Sequence, residues 1–225
     1  MTTYDSVLFD SDGILVDPPA SETQADATRD AFRSVGATAV EPHHVDAIVE
    51  GVTLEELHEI CTTYDLEPER FWKARERLDE ESQFEKFRDG ARALYDDVSA
   101  IAALPHTCGV VSNNHHSTIE YVLDAFDLHS LFDTYYGREK TLESLELKKP
   151  NTHYLEKALA DLEADSALYV GDSESDVIAA HRAGLDSVFV RREHCRSVDL
   201  SVTPTYDVSD LLELSEIVDS SDERP

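Results

Sequence analysis

Among 225 residues this chain has only three cysteines, Cys61, Cys108 and Cys195, with one methionine and one tryptophan. Three scattered thiols cannot build a disulfide framework, which argues for a reducing compartment. Long apolar runs are missing too. No stretch approaches the ~20 residues that a bilayer-spanning helix needs, and no signal-peptide pattern is read. Internal repeats and low-complexity tracts are absent, which excludes solenoid and fibrous architectures. Positive charge is scarcest of all. Nineteen Lys and Arg, six of them Lys, face 48 Asp and Glu, for a formal net charge of −29. With no basic patch visible, a nucleic-acid backbone is excluded as a partner. The acids are spread through helical segments, so a solvated acidic tail does not account for them. A folded domain with this charge repels itself at low ionic strength. At 1 M salt the screening length falls to about 3 Å and most of that penalty disappears. The composition therefore predicts a cytoplasm at molar salt, as in an extreme halophile.

What the chain does carry is aspartate at the ends of short apolar runs. Val7-Leu8-Phe9 leads into Asp10-Ser11-Asp12-Gly13, and Leu168-Tyr169-Val170 into Gly171-Asp172-Ser173-Glu174-Ser175-Asp176. Such runs read as buried parallel strands, and open α/β sheets bind ligands at the carboxyl ends of their strands. Carboxylates from both ends of the sequence are thus expected in one cleft. Two of them about 4 Å apart repel by roughly 4 kcal/mol at an effective dielectric near 20. A hard cation relieves that repulsion, and an all-oxygen set without His or Cys at ligand spacing suits Mg²⁺ better than Zn²⁺.

Two further segments supply parts of a phosphate site. Thr107 to Val111 reads as another buried strand ending at Ser112-Asn113-Asn114, just before a helix starting near Ser117. A hydroxyl and free backbone N–H groups at such a place form an anion cradle. Lys148-Lys149-Pro150 precedes a helical pattern over Tyr154, Leu155, Ala158, Leu159 and Leu162, placing a cation where carboxylates and a phosphate need one.

With these four segments in this order, the chain resembles the haloacid-dehalogenase-like hydrolases over residues 4–192, in the subgroup of phosphoglycolate phosphatases and β-phosphoglucomutases. The resemblance implies an α/β fold, a Rossmann-like parallel sheet flanked by helices, with an inserted all-helical cap. It also implies Mg²⁺-dependent phosphoryl transfer through an aspartyl-phosphate. By position, Asp10 looks like the nucleophile and Asp12 the acid/base, Ser112 and Asn113 the phosphate-binding pair, and Lys149 the balancing charge. Asp10, Asp12 and Asp172 look like the metal set, with Asp176 in support. Dehalogenase members lack the second aspartate, so Asp12 disfavours dehalogenation. Ile14 and Thr152 depart from the commoner residues without touching this chemistry.

The organisation expected is a catalytic core over 1–17 and 88–218, a helical cap over 18–87, and a frayed tail over 219–225. Cap helices are read around Ala27–Phe32, Leu54–Ile60 and Phe71–Leu78, with Gly36, Gly51 and the turn at Asp65–Pro68 between them. The core is expected to resume as a helix over Ala91–Ala102. Tyr206-Asp207-Val208 reads as an edge strand, with Ser209 capping a helix to Ile217. Trp72 reads as cap core, His43-His44 as helix flanks, and His115-His116 as a solvated helix start. The partner expected is a small phosphomonoester, with phosphoglycolate the best single guess, and the chain is expected to be a monomer or weak homo-oligomer away from membranes. The alternatives are a β-phosphoglucomutase-like phosphotransferase, or a silent metal- and phosphate-binding module. The mutases carry a Thr and a His where this chain has Val16 and Glu22, which favours hydrolysis.

Overall fold

The computed structural model describes residues 4–220. In chain order its elements are β1 (Ser6–Phe9), α1 (Ser21–Ser34), α2 (Pro42–Glu50), α3 (Leu54–Thr63), α4 (Pro68–Arg88), β2 (Thr107–His115), α5 (His116–Ala125), β3 (Thr134–Arg138), α6 (Ser144–Leu147), α7 (His153–Asp161), β4 (Ala167–Gly171), α8 (Glu174–Arg182), β5 (Asp186–Val190), β6 (Tyr206–Val208) and α9 (Leu214–Ser220). Within the described residues they form two compact units, one of residues 4–17, 94–137 and 148–220, the other of 18–93 and 138–147. Among the described residues no helix is long and apolar enough to cross a membrane.

The first unit is built on a six-stranded sheet in the order β3-β2-β1-β4-β5-β6. β1 pairs parallel with β2 and β4, β4 with β5, and β5 with β6. The central strands β1 and β4 are buried along their whole length, which explains their unbroken apolar sequences. From β1 the chain goes first to β2 on one side and later to β4 on the other. The carboxyl end of β1 therefore lies at the switch point of the strand order, where such sheets bind ligands.

Two strands of this sheet, β3 and β5, escaped the sequence reading. Tyr206–Val208 does form the edge strand. The helix expected over Ala91–Ala102 is absent. Instead Leu94 bridges Val16, the Tyr95 N–H bonds the Leu15 carbonyl at 3.0 Å, and a 3₁₀ helix follows over Asp96–Ala103. Backbone groups committed to the loop after β1 cannot also close helical turns. Near the C-terminus it is Asp210, not Ser209, whose side chain caps the Leu212 N–H at 2.9 Å. Helix α9 then runs to Ser220 rather than ending at Ile217, so of the tail expected to fray, residues 219 and 220 are helical and 221–225 lie outside the described residues.

The second unit is helical. Its apolar cluster joins Phe32, Leu57, Ile60, Phe71 and Trp72, with the Phe32 and Phe71 rings 4.3 Å apart. Local signals set the helix ends. Pro42 opens α2, Gly51 closes it at φ 118°, and Thr53 and Glu56 form a reciprocal capping box on α3. The unit also takes in residues 138–147, which the sequence reading left with the core. Leu145 joins the apolar cluster, and Arg138 Nη2 donates to Glu76 Oε1 of α4 at 3.0 Å.

Candidate active site

At the carboxyl ends of β1 and β4 the first unit gathers three carboxylates, Asp10, Asp172 and Asp176, two of them paired with one ammonium. The Lys149 Nζ lies 3.1 Å from Asp10 Oδ1 and 2.7 Å from Asp176 Oδ1, and all three residues are buried. Burial alone would push the Lys149 ammonium toward deprotonation; the Asp10 and Asp176 carboxylates more than offset it and hold its pKa above the usual value. For Asp10 the balance goes the other way. Burial raises its pKa to about 7, Lys149 opposes the rise, and Asp176, Asp172 and Asp12 add to it. Asp172 is raised too, first by burial, against a hydrogen bond from His194.

Each carboxylate is held by its own element. The Ser11 N–H donates to Asp10 Oδ1 at 2.7 Å. Gly13 adopts φ 78°, and a Cβ there would overlap the Asp172 carboxylate, so only glycine lets the two loops approach. Ser173 and Asp176 form the capping box of α8, in which Asp176 Oδ2 accepts from the N–H groups of Asp172 at 3.2 Å and Ser173 at 3.0 Å. The carboxylate that starts the helix thereby turns its other oxygen toward Lys149.

The sequence-predicted residues divide. Asp10, Asp172 and Asp176 place carboxylate oxygens within 4.8 Å of one another. Asp12 is outside that trio, its Oδ2 accepting from Asn114 Nδ2 at 2.7 Å. Ser112 is buried within β2, its hydroxyl oxygen accepting from the Asn114 N–H at 3.2 Å. The Asn113 side chain is engaged differently from a phosphate ligand. It donates to the Lys149 carbonyl at 3.1 Å and accepts from the Lys149 N–H at 2.6 Å, which pins the lysine backbone. His115 is fully buried, and His116 accepts from the Gly137 N–H at 3.2 Å and stacks on Tyr135, so neither is a solvated helix start.

Three residues were missed from sequence, and Asn114, expected only as part of an anion cradle, has a further role. Asn114 holds Asp12. The Tyr169 hydroxyl accepts from Lys149 Nζ at 2.6 Å and donates to the Val111 carbonyl at 2.7 Å. Arg192, bidentate on Asp97 at 2.7 and 2.9 Å, ties down the loop after β1 through the Gly13 and Ile14 carbonyls. His194 bonds Asp172.

An excess of carboxylate over ammonium, all of it oxygen and with Asp10 already drawn toward protonation, is the donor chemistry of a hard divalent cation. Asp10 and Asp172 are the residues that could hold one, since Asp176 is committed to Lys149 and to backbone N–H groups.

Comparison with known proteins gives this geometry its relatives. A PpaX-type protein from Caldanaerobacter subterraneus subsp. tengcongensis is 31% identical over 146 residues, covering 62% of this chain and 64% of its own. The pyrophosphatase PpaX of Bacillus thuringiensis is 29% identical over 99 residues, 43% and 44% of the two chains. The match thus spans less than two thirds of either relative. Among solved structures, CbbY from Rhodobacter sphaeroides in complex with phosphate superposes with a TM-score of 0.72 at 18% identity, covering 96% of this chain and all of that one. A predicted phosphoglycolate phosphatase from Haemophilus somnus gives 0.65 at 21%, covering 96% and 99%. At such identities these structures speak for the fold. The family model described as haloacid dehalogenase-like hydrolase matches residues 7–190, and the chain belongs to that family.

Proposed function

We propose that this chain is a Mg²⁺-dependent phosphatase that hydrolyses a small phosphomonoester through an aspartyl-phosphate on Asp10. The observation that supports it is the Lys149 ammonium seated between Asp10 and Asp176. Lys149 opposes the rise in pKa that burial imposes on Asp10, and a divalent cation would hold this carboxylate ionised as the nucleophile. Asp10 attacks phosphorus, forming the acyl-phosphate bond as the ester P–O bond breaks. Asp12, oriented by Asn114, gives its proton to the leaving alkoxide. The same carboxylate then takes a proton from water, whose oxygen attacks phosphorus and releases phosphate and Asp10. Ser112 and Asn113 bind the phosphoryl oxygens, and Lys149 offsets their charge. Mg²⁺ held by Asp10 and Asp172 would supply the remaining positive charge. Substrate selection is assigned to the helical unit, acting as a cap.

Phosphoglycolate is the single ester we favour, in line with the name of the Haemophilus somnus relative. The PpaX names make pyrophosphate the competing substrate. A panel of phosphoglycolate, sugar phosphates, pyrophosphate and an aryl phosphate, assayed with Mg²⁺ in molar KCl, tests both. Phosphoglycolate should give the highest kcat/KM. Pyrophosphate as the best substrate would replace it, and no turnover of any member would mark a silent binding module.

A further inference from the structure

Asp10 is oriented by Ser11 and Lys149, but neither of them orients Asp172. Its Oδ2 instead accepts a hydrogen bond from His194 Nε2 at 2.6 Å. His194 lies outside every motif that marks the site, 22 residues after Asp172. Its side chain is about one-third exposed, so it is not placed by core packing. Its backbone, however, is fixed. Glu193–Cys195 is a single 3₁₀ turn after β5, closed by the Cys195 N–H on the Arg192 carbonyl at 3.1 Å. Arg192 is locked onto Asp97 at one end of this turn. At the other end Cys195 is buried against Val177 and Phe189. A rigid turn thus presents an exposed imidazole to a half-buried carboxylate.

Asp172, His194 and Cys195 also offer oxygen, nitrogen and sulfur within 4.8 Å, a set that would suit a softer metal. The thiol is turned away from that use, donating to the Val190 carbonyl at 3.3 Å. The arrangement is a hydrogen bond onto a carboxylate rather than a second metal centre.

We propose that His194 is a positioning residue for cation binding: its Nε2–H fixes one oxygen of Asp172 and leaves the other to ligate the ion. This rests on the reading that Asp10 and Asp172 hold the divalent cation. Hydrogen-bond partners of ligating groups are typically worth about 10–100-fold in metal affinity. The probe is Mn²⁺, with bound and free ion separated by electron paramagnetic resonance in molar KCl, on the full chain. His194→Ala should weaken Mn²⁺ binding about 10–100-fold with the melting temperature unmoved. His194→Gln, whose amide still donates, should recover most of the loss. Wild-type affinity in the alanine variant overturns the proposal. Tighter binding also overturns it, since the imidazole would then compete with the ion for the carboxylate, and so does equal weakening in both variants. Asp172→Asn separates the two claims: if it too binds Mn²⁺ as wild type does, the cation reading is what fails.

Discussion

At the scale of single residues, Asp10 has to be a base for phosphorus while buried among other carboxylates. Asp10→Asn keeps the shape and removes the charge, so kcat should fall by orders of magnitude with the fold intact; a variant keeping more than about a tenth of wild-type turnover would remove Asp10 from the nucleophile's role. The same residue makes a prediction about pH. Burial raises its pKa to about 7 in the folded protein, against about 3.9 for an unperturbed Asp. The folded state therefore holds a proton that the unfolded state gives up. The stability this contributes is complete below the unfolded value and is lost as pH rises through about 7. In EDTA and constant KCl, the melting temperature of wild type should fall more steeply than that of Asp10→Asn between about pH 4 and about pH 7. Parallel curves would mean that Asp10 is ionised throughout. Asp12 is tested by its leaving groups. Asp12→Asn should cost about 10²–10⁴-fold with alkyl esters and less with aryl phosphates, whose phenolate leaving groups need less protonation. Equal losses in single-turnover phosphorylation would leave Asp12 without the acid's role.

At the scale of elements, stability and site geometry meet in two helices. The capping box of α8 both closes the helix start and aims Asp176 at Lys149. In α4 the inward face is charged: Arg75, Glu76 and Asp79 are buried, and Arg138 reaches Glu76 from the end of β3. Removing one partner of such a group leaves a carboxylate out of water with too little positive charge. Arg138→Met should destabilise the chain by about 3 kcal/mol, the low end of the range for broken buried pairs, because Arg75 still serves Glu76. Urea unfolding checks it; a loss under about 1 kcal/mol would show that Arg75 suffices. These helices also show what the sequence could and could not reveal. Asp10, Lys149, Asp172 and Asp176 were legible because each sits at a strand end or helix start marked within a few residues. Tyr169 reads as core because it lies inside an apolar run, and its bond to Val111 spans 58 positions. Arg192 binds a carbonyl 179 positions away, and Asn114 a carboxylate 102 away. Only the folded chain pairs them. Strand β5 (Asp-Ser-Val-Phe-Val) ends in an apolar run like that of β1 but leads into Arg191-Arg192 rather than an acidic motif, and strand β3 (Thr-Tyr-Tyr-Gly-Arg) has neither an apolar run nor alternation, so both were missed. Segment 138–147 carries no sequence mark of belonging with α4: its ties are the ion pairs of Arg138 with Glu76 and Lys140 with Glu80, and Leu142 and Leu145 on the apolar cluster, all of them long-range.

At the scale of the whole molecule, charge is the governing fact. The exposed ion pairs include Arg29 with Asp26, Arg33 with Asp30 and Arg77 with Glu81, all local to one helix. Such pairs are worth about 0–1 kcal/mol each and weaken with salt. Nineteen basic residues cannot neutralise 48 acids, so a formal −29 remains to be screened by the solvent. Two opposed salt responses therefore compete. Local pairs lose a little as salt rises, while the long-range repulsion between unpaired carboxylates loses much more. Between about 0.1 M and 1 M the screening length shortens from about 10 Å to about 3 Å, less than the spacing of most surface charges. Repulsion acts on the compact state more than on the expanded chain, so screening should stabilise the fold. The melting temperature should rise steadily with KCl across that range. Choline chloride at equal ionic strength separates screening from specific ion binding. If screening governs, both salts act alike; a rise with KCl alone would point to bound K⁺, and a flat response to either would remove the argument for a high-salt cytoplasm.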